Sequence, residues 1–381
     1  MLRYLLIGPA YPFRGGIANF NEALCRSLSS SGHSSEIVSF TLQYPSLLFP
    51  GKTQFEKGAP PGDINIKRII NPLNPFSWFK TAAYAAKLHP CCLIVHYWLP
   101  FFAPAYGFIL RRLKKRFNVK IIGLVHNVDP HDRFPLAKRF TRYFLKGCDG
   151  FVVMSESVKQ DIENLGINRP SVCVPHPVYD TFGKAVDKKD ACSFLKLDPA
   201  KRYILFFGIV RKYKGLDLLL KALSDERLKD MNVNLIVAGE FYEDPDYYKQ
   251  MVRDLNLKGK VGFTEGFVPK EKVKYYFCSA DMVVQPYRSA TQSGVTQIAY
   301  HFARPMLVTG VGGLPGMVPD GRVGYVTNPS PVEIADAIYD FYINEREKEF
   351  TENVEIERKR FTWDAMVEGI ESLTCQIEGK E

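Results

Sequence analysis

The chain has 381 residues, 46% hydrophobic and 24% charged, a balance that excludes a disordered, collagen-like or low-complexity chain and leaves room for two or more packed cores. Lys plus Arg number 50 against 41 Asp plus Glu, a formal charge of +9. Residues 1–180 hold 22 basic and 11 acidic side chains, so the whole excess lies in the first part and predicts an anionic partner there.

Short apolar runs alternate with helical patterns from end to end, which predicts α/β architecture with parallel sheets. The opening run at 4–8 is too short for a signal peptide and leads into a turn, so it reads as a first strand. Further strands are expected at 36–40, 92–96, 120–126, 150–154 and 172–174, each nearly continuously apolar as strands covered on both faces are. The weakly polar stretch 97–110 contains Pro100 and Pro104 and falls well short of the ~20 residues that span a bilayer. After a Pro-bounded segment from Pro175 to about Leu197, a second series of strands is expected at 203–207, 234–238, 261–264, 282–285, 306–309 and 324–326. This predicts two tandem Rossmann-like domains, 1–180 and 181–355, with a ligand cleft where the carboxyl ends of their strands face each other. The tail 356–381 reads as a C-terminal helix. Eight cysteines without paired spacing, in a chain too large to need staples, predict reduced thiols and a cytoplasmic protein.

Chemistry is expected in the turns that follow the strands. The strand 203–207 runs into Gly208-Ile-Val-Arg-Lys-Tyr-Lys-Gly-Leu-Asp217, which places Arg211 and Lys214 where a fork and a point charge clamp phosphate oxygens; a solvated basic turn is the bland alternative. After 282–285, a loop of small polar residues containing Ser293 and Gly294 opens a helix, a ready anion site unless Thr291 or Ser293 merely caps that helix. Gly15 and Gly16 follow the first strand without the Gly-x-Gly-x-x-Gly fingerprint of NAD-binding folds. His126 and His96 each end a strand at the ligand edge. His126 and His131 flank Pro130 in a loop, without metal-ligand spacing, so no metal site is expected. Residues 75–80 and 98–116 combine aromatic rings with the basic run Arg111-Arg-Leu-Lys-Lys-Arg116. They read either as an anionic-membrane docking face or as a core helix with a solvated end.

These motifs in this order resemble the GT-B glycosyltransferases, specifically glycosyltransferase family 4. The resemblance is carried by Gly15-Gly16, the His126 loop, Met154-Ser-Glu-Ser157, the turn from Phe207 to Gly215, Val237-Ala-Gly-Glu240, Val308-Thr-Gly-Val-Gly-Gly-Leu-Pro315 and the closing Phe361-Thr-Trp-Asp364. It implies retaining transfer of a sugar from a nucleotide diphosphate donor, UDP- or GDP-linked, to a saccharide or lipid-linked acceptor in cell-envelope polysaccharide synthesis, without a cofactor or metal. The second domain would hold the donor, the first the acceptor, and the last helix would cross back to the first. Lys214 matches the family lysine on the donor phosphates, with Arg211 in the same role two residues later than the usual arginine. Gly15 and Gly16 match the glycine turn near those phosphates, His126 the histidine near the transferred sugar, and Glu240 lies close to the nucleotide. The family's two loop glutamates fall on Ala290 and Ile298, and its Glu after Gly-Gly-x-Pro on Gly316, which leaves Gln292 and Gln297 as the neighbours for sugar or ribose hydroxyls.

A sugar-nucleotide epimerase of the same fold and a non-catalytic homologue are the alternatives. Nucleic-acid binding would account for the charge but finds no recognised module. The basic excess of the first domain fits peripheral docking on the inner face of the cytoplasmic membrane.

Overall fold

The computed structural model describes residues 1–45, 53–56, 58–117, 119–128, 136–178, 181–291 and 293–379. It divides into two compact units, Met1–His176 with Thr362–Glu381, and Pro177–Phe361.

The first unit is built on a seven-stranded parallel sheet: β1 Arg3–Ile7, β2 Ser34–Phe40, β3 Ile66–Ile70, β4 Cys92–Tyr97, β5 Lys120–Val125, β6 Gly150–Val153 and β7 Ser171–Cys173. They lie in the order β3-β2-β1-β4-β5-β6-β7. The central strands β4, β5 and β6 are buried along their whole length, which is why they read as unbroken apolar runs. β3 was not anticipated. It is an edge strand, Ile-Lys-Arg-Ile-Ile, with Lys67 and Arg68 exposed, so it lacks the signature of a doubly covered strand.

The second unit holds β8 Arg202–Phe207, β9 Val233–Gly239, β10 Val261–Glu265, β11 Met282–Gln285, β12 Met306–Thr309 and β13 Gly324–Thr327, in the order β10-β9-β8-β11-β12-β13. Both sheets repeat the doubly wound 3-2-1-4-5-6 order. The strand order reverses between β1 and β4 in one unit and between β8 and β11 in the other, although both pairs are parallel, so the loops after these four strands frame a crevice in each.

The division falls at His176/Pro177 and Phe361/Thr362, a few residues from the expected 180 and 355. The helix Glu347–Glu357 accounts for the second shift, because Phe350 joins the second core and Val354 is buried. The final helix, Trp363–Glu378, is capped by Thr362, whose hydroxyl accepts from the Ala365 N–H at 3.2 Å. It lies on the first sheet closely enough that a Cβ on Gly150 would stand 2.9 Å from Ile377, and His33 Nε2 meets Glu371 Oε1 at 2.6 Å.

Candidate functional site

In the second unit the switch point is occupied by the basic turn. The short 3-10 turn Lys212–Lys214 follows Arg211, and Gly215 takes a left-handed φ of 67° to open the helix Leu216–Leu223. A Cβ at Gly215 would collide with the Pro286 carbonyl oxygen, so only glycine lets this turn lie against the loop after β11. Arg288 on that loop completes the lacing. Its guanidinium forks onto Asp217 at 2.7 and 2.6 Å and donates to the Lys212 carbonyl at 2.9 Å, while its backbone N–H donates to the Tyr213 carbonyl at 2.6 Å. The expected phosphate turn and the expected anion loop are thus one assembly.

Lys214 is half-buried, its ammonium 5.1 Å from the Tyr287 ring centroid and beside Gly208, while Arg211 lies 5.9 Å from the Tyr213 ring. Burial pulls the Lys214 pKa below its ordinary value; the Tyr213 hydroxyl opposes this and the Arg211 cation adds to it. An ammonium stripped of part of its water and repelled by a second cation gains from an anion placed beside it, which restores what burial removed.

Ser293 caps the helix Gly294–His301 by accepting from the Val295 N–H at 3.2 Å, so the capping alternative holds. Gln297, expected to reach ligand hydroxyls, is wholly buried beneath that turn, and neither its Oε1 nor its Nε2 has a hydrogen-bond partner among the described residues. Ala290 and Ile298 are buried too, and Gln292 lies outside the described residues. Glu240 is buried just past β9, its carbonyl accepting from Val210 N–H at 2.9 Å.

In the first unit, Gly15 holds a φ of 124° as the residue before the helix Gly16–Ser30. Gly15 makes no side-chain cap to that helix, and both Gly15 and Gly16 are exposed. One turn in, Phe20 sets its ring edge-on to His96, His126 and His176, with centroids 5.7, 5.5 and 4.9 Å away, and touches Trp363 at 5.0 Å. The helix that follows the glycine turn therefore packs on His126 through Phe20. His126 Nε2 lies 3.0 Å from His96 Nδ1. Burial first, then the neighbouring His96 and His176, hold the His126 pKa well below the usual histidine range. His176 and Trp363 were missed as site residues, the first because Pro175-His-Pro177 reads as linker. His131 lies outside the described residues. Among the described residues no three His, Cys, Asp or Glu side chains gather closely enough to hold a metal ion.

The basic aromatic segment divides. In 98–116 the rings of Phe102 and Tyr106 and the chains of Ile109, Leu110 and Leu113 are core, and Lys114 pairs with Asp149. In the helix Pro75–Leu88, by contrast, Phe76 and Phe79 are 76% and 43% exposed, and the Arg112 guanidinium lies 4.7 Å from the Phe79 ring centroid. No helix among the described residues is long and apolar enough to cross a membrane.

Comparison with known proteins fits this geometry. The profile described as Glycosyltransferase Family 4 matches residues 14–181, and the one described as Glycosyl transferases group 1 matches residues 201–344. Over 300 residues the chain is 24% identical to a D-inositol 3-phosphate glycosyltransferase of Corynebacterium aurimucosum, covering 73% of this chain and 70% of that one. Among solved structures, sucrose-phosphate synthase from Thermosynechococcus elongatus superposes over the full length of both chains with a TM-score of 0.76 at 18% identity. Anabaena HepE in complex with UDP and glucose matches with a TM-score of 0.72 at 14% identity, over 100% of this chain and 99% of that one.

Proposed function

Because the chain belongs to glycosyltransferase family 4 and is a glycosyltransferase of the GT-B fold, we propose that it moves a sugar from a UDP- or GDP-sugar to a saccharide or lipid-linked acceptor in cell-envelope polysaccharide synthesis, with retained anomeric configuration. The observation that carries this reading is the pinning of the Arg211–Lys214 turn onto the loop after β11 through Arg288 and Asp217. In the transfer, the bond from the sugar's anomeric carbon to the diphosphate oxygen breaks and its electron pair stays on the diphosphate. The acceptor hydroxyl oxygen bonds to that carbon on the same face and gives its proton to the departing diphosphate oxygen, which holds the electron pair of the broken bond. Fixed cations aimed at the leaving oxygens lower this barrier because they need no reorganisation as the charge develops. Arg211 and Lys214 fill that role, with the amides at Ser293 and Gly294 beside them, and His126 attends the sugar. Support for a uridine diphosphate donor comes from HepE, solved with UDP and glucose.

A thermal-shift panel of UDP-, GDP- and ADP-sugars tests the donor side. A ligand at 100 times its Kd adds about 2.7 kcal/mol of apparent stability, so one nucleotide series is expected to raise the Tm clearly. With that donor alone the sugar should remain unchanged, and with an acceptor present nucleoside diphosphate should be released. Epimerised donor, or no shift with any nucleotide sugar, would overturn the proposal.

We place the acceptor side at an anionic membrane surface. Phe76 and Phe79, with Arg112 over the latter, are the side chains that enter the headgroup region. Vesicles containing phosphatidylglycerol are expected to sediment the protein at low salt and release it at high salt, and Phe76→Ser with Phe79→Ser should weaken the binding by about tenfold or more. Equal binding to neutral vesicles, or no effect of the double change, would count against this surface.

A further inference from the structure

His126 is the histidine assigned to the sugar, yet a second imidazole lies wholly buried against it. His96 is the penultimate residue of β4, 0% exposed, between the edge of Phe20 and Gly8; a Cβ on Gly8 would stand 3.0 Å from that of His96. Its Nδ1 is 3.0 Å from His126 Nε2, and the rings lie nearly parallel at 22°. Its other nitrogen, Nε2, is buried with no hydrogen-bond partner among the described residues.

Two neutral imidazoles sharing one hydrogen bond have two arrangements. If His126 donates from Nε2, His96 carries its proton on the buried Nε2, an N–H with no acceptor, which is the kind of orphan that folded proteins rarely keep. If His96 donates from Nδ1, only a lone pair is left bare at its Nε2, and His126 carries its proton on Nδ1. Among the described residues, the groups facing the pair are the Phe20 ring, the imidazole of His176 and the backbone at Gly8, none of which is an anion that would hold an imidazolium.

We propose that His96 is a positioning residue: by donating from Nδ1 it fixes His126 as the neutral Nδ1–H tautomer, which offers an uncharged hydrogen-bond donor to an oxygen of the transferred sugar. This rests on the reading above that His126 attends the sugar. A neutral donor suits a reaction whose positive charge develops on the sugar ring, because an imidazolium there would repel it, and the nitrogen used by His96 is withdrawn from the ligand.

Long-range proton–nitrogen NMR of the histidine-labelled enzyme reads the tautomer directly. Both His96 and His126 are expected as neutral Nδ1–H forms that do not titrate where a free imidazole does. In turnover assays, His96→Leu should lower kcat by about tenfold, the loss expected for one hydrogen bond, with the donor KM little changed. Any acid limb in the kcat profile should move upward in His96→Leu, because the neighbouring imidazole is gone, yet stay below the ordinary histidine range, because the burial that dominates the shift remains. His96→Asn keeps an amide donor where Nδ1 stood and should recover most of the lost kcat. An Nε2–H tautomer for His126 in the unaltered enzyme, or equal kcat for the Leu and Asn variants, would overturn the role of His96. Full turnover in His126→Ala would instead overturn the sugar-side reading, and the proposal with it, whatever the tautomer.

Discussion

Replacing Lys214 by methionine is expected to lower kcat by about 10²- to 10³-fold, the scale seen when one fixed donor to a developing negative charge is removed. The fold should survive, and the sign of the pKa shift says why. An ammonium whose pKa is lowered in the folded state binds its proton less well there than in the unfolded chain, so keeping it charged costs stability at every pH below its folded pKa. Removing the charge relieves that cost, and the Tm should hold or rise slightly. The same shift sets the pH dependence of the reaction. In the free enzyme Lys214 loses its proton below the ordinary lysine value of 10.5, so kcat/KM should fall on the alkaline side earlier than a surface lysine would dictate. A bound diphosphate pulls the pKa back up, so the matching limb in kcat should lie at higher pH. Lys214→Met should lose both limbs. Lys214→Arg is not expected to restore the rate, because a planar fork cannot occupy the slot beside Gly208 and the Tyr287 ring that the point charge fills. A folded Lys214→Met enzyme with near-normal kcat would remove the phosphate role.

What the sequence makes legible here is whatever a short window contains. Strands β4, β5, β6 and β9 announce themselves because both of their faces are buried, and the Gly, Arg, Lys-Gly spacing after β8 places two cations at a strand end without any knowledge of the rest. What it hides depends on partners far away in the chain. Arg288 and Asp217 stand 71 positions apart and neither sits in a telling pattern, yet their fork joins the two segments proposed to bind the donor phosphates. Phe20 looks like any apolar helix residue, although its ring touches three histidines and a tryptophan drawn from four other elements. The segment 98–116 illustrates a different limit. A helix rich in rings and ending in cations has the same composition whether its rings enter a core or a membrane, and only the burial of Phe102, Tyr106 and Leu110 decides for the core. Gln297 shows the converse: a polar side chain beside a ligand loop reads as a contact residue, and it turns out to be wholly enclosed.

Gly215→Ala is expected to destabilise the second unit by about 2–4 kcal/mol, combining the roughly 1–2 kcal/mol cost of a left-handed alanine with the displacement of the Pro286 carbonyl. Two other glycines separate these contributions. Gly15 has nothing within 4 Å of a Cβ but a φ of 124° and ψ of 169°, a region open essentially to glycine alone, so Gly15→Ala should show a backbone cost alone, and one larger than that of a left-handed alanine. Gly62 has neither a positive φ nor a neighbour, and Gly62→Ala should change stability by less than about 0.5 kcal/mol. Denaturant titrations read by probes in each unit should place the Gly215 effect in the second unit and the Gly15 effect in the first. The functional consequence goes further than the stability. Moving Pro286 away from the turn strains the Arg288 bonds to Lys212 and Asp217, so the cations at 211 and 214 and the amides after Ser293 no longer face one ligand together. Gly215→Ala should therefore lose kcat and nucleotide affinity at temperatures where it remains folded, whereas a destabilised but well-aligned site would lose activity only in step with the folded fraction. Asp217→Asn offers the intermediate case. It keeps the backbone contact at Gly215 but weakens the charged fork, so its loss in nucleotide affinity should fall between that of the parent and that of Gly215→Ala; an Asp217→Asn enzyme as impaired as Gly215→Ala would mean that the fork, and not the glycine contact, aligns the site.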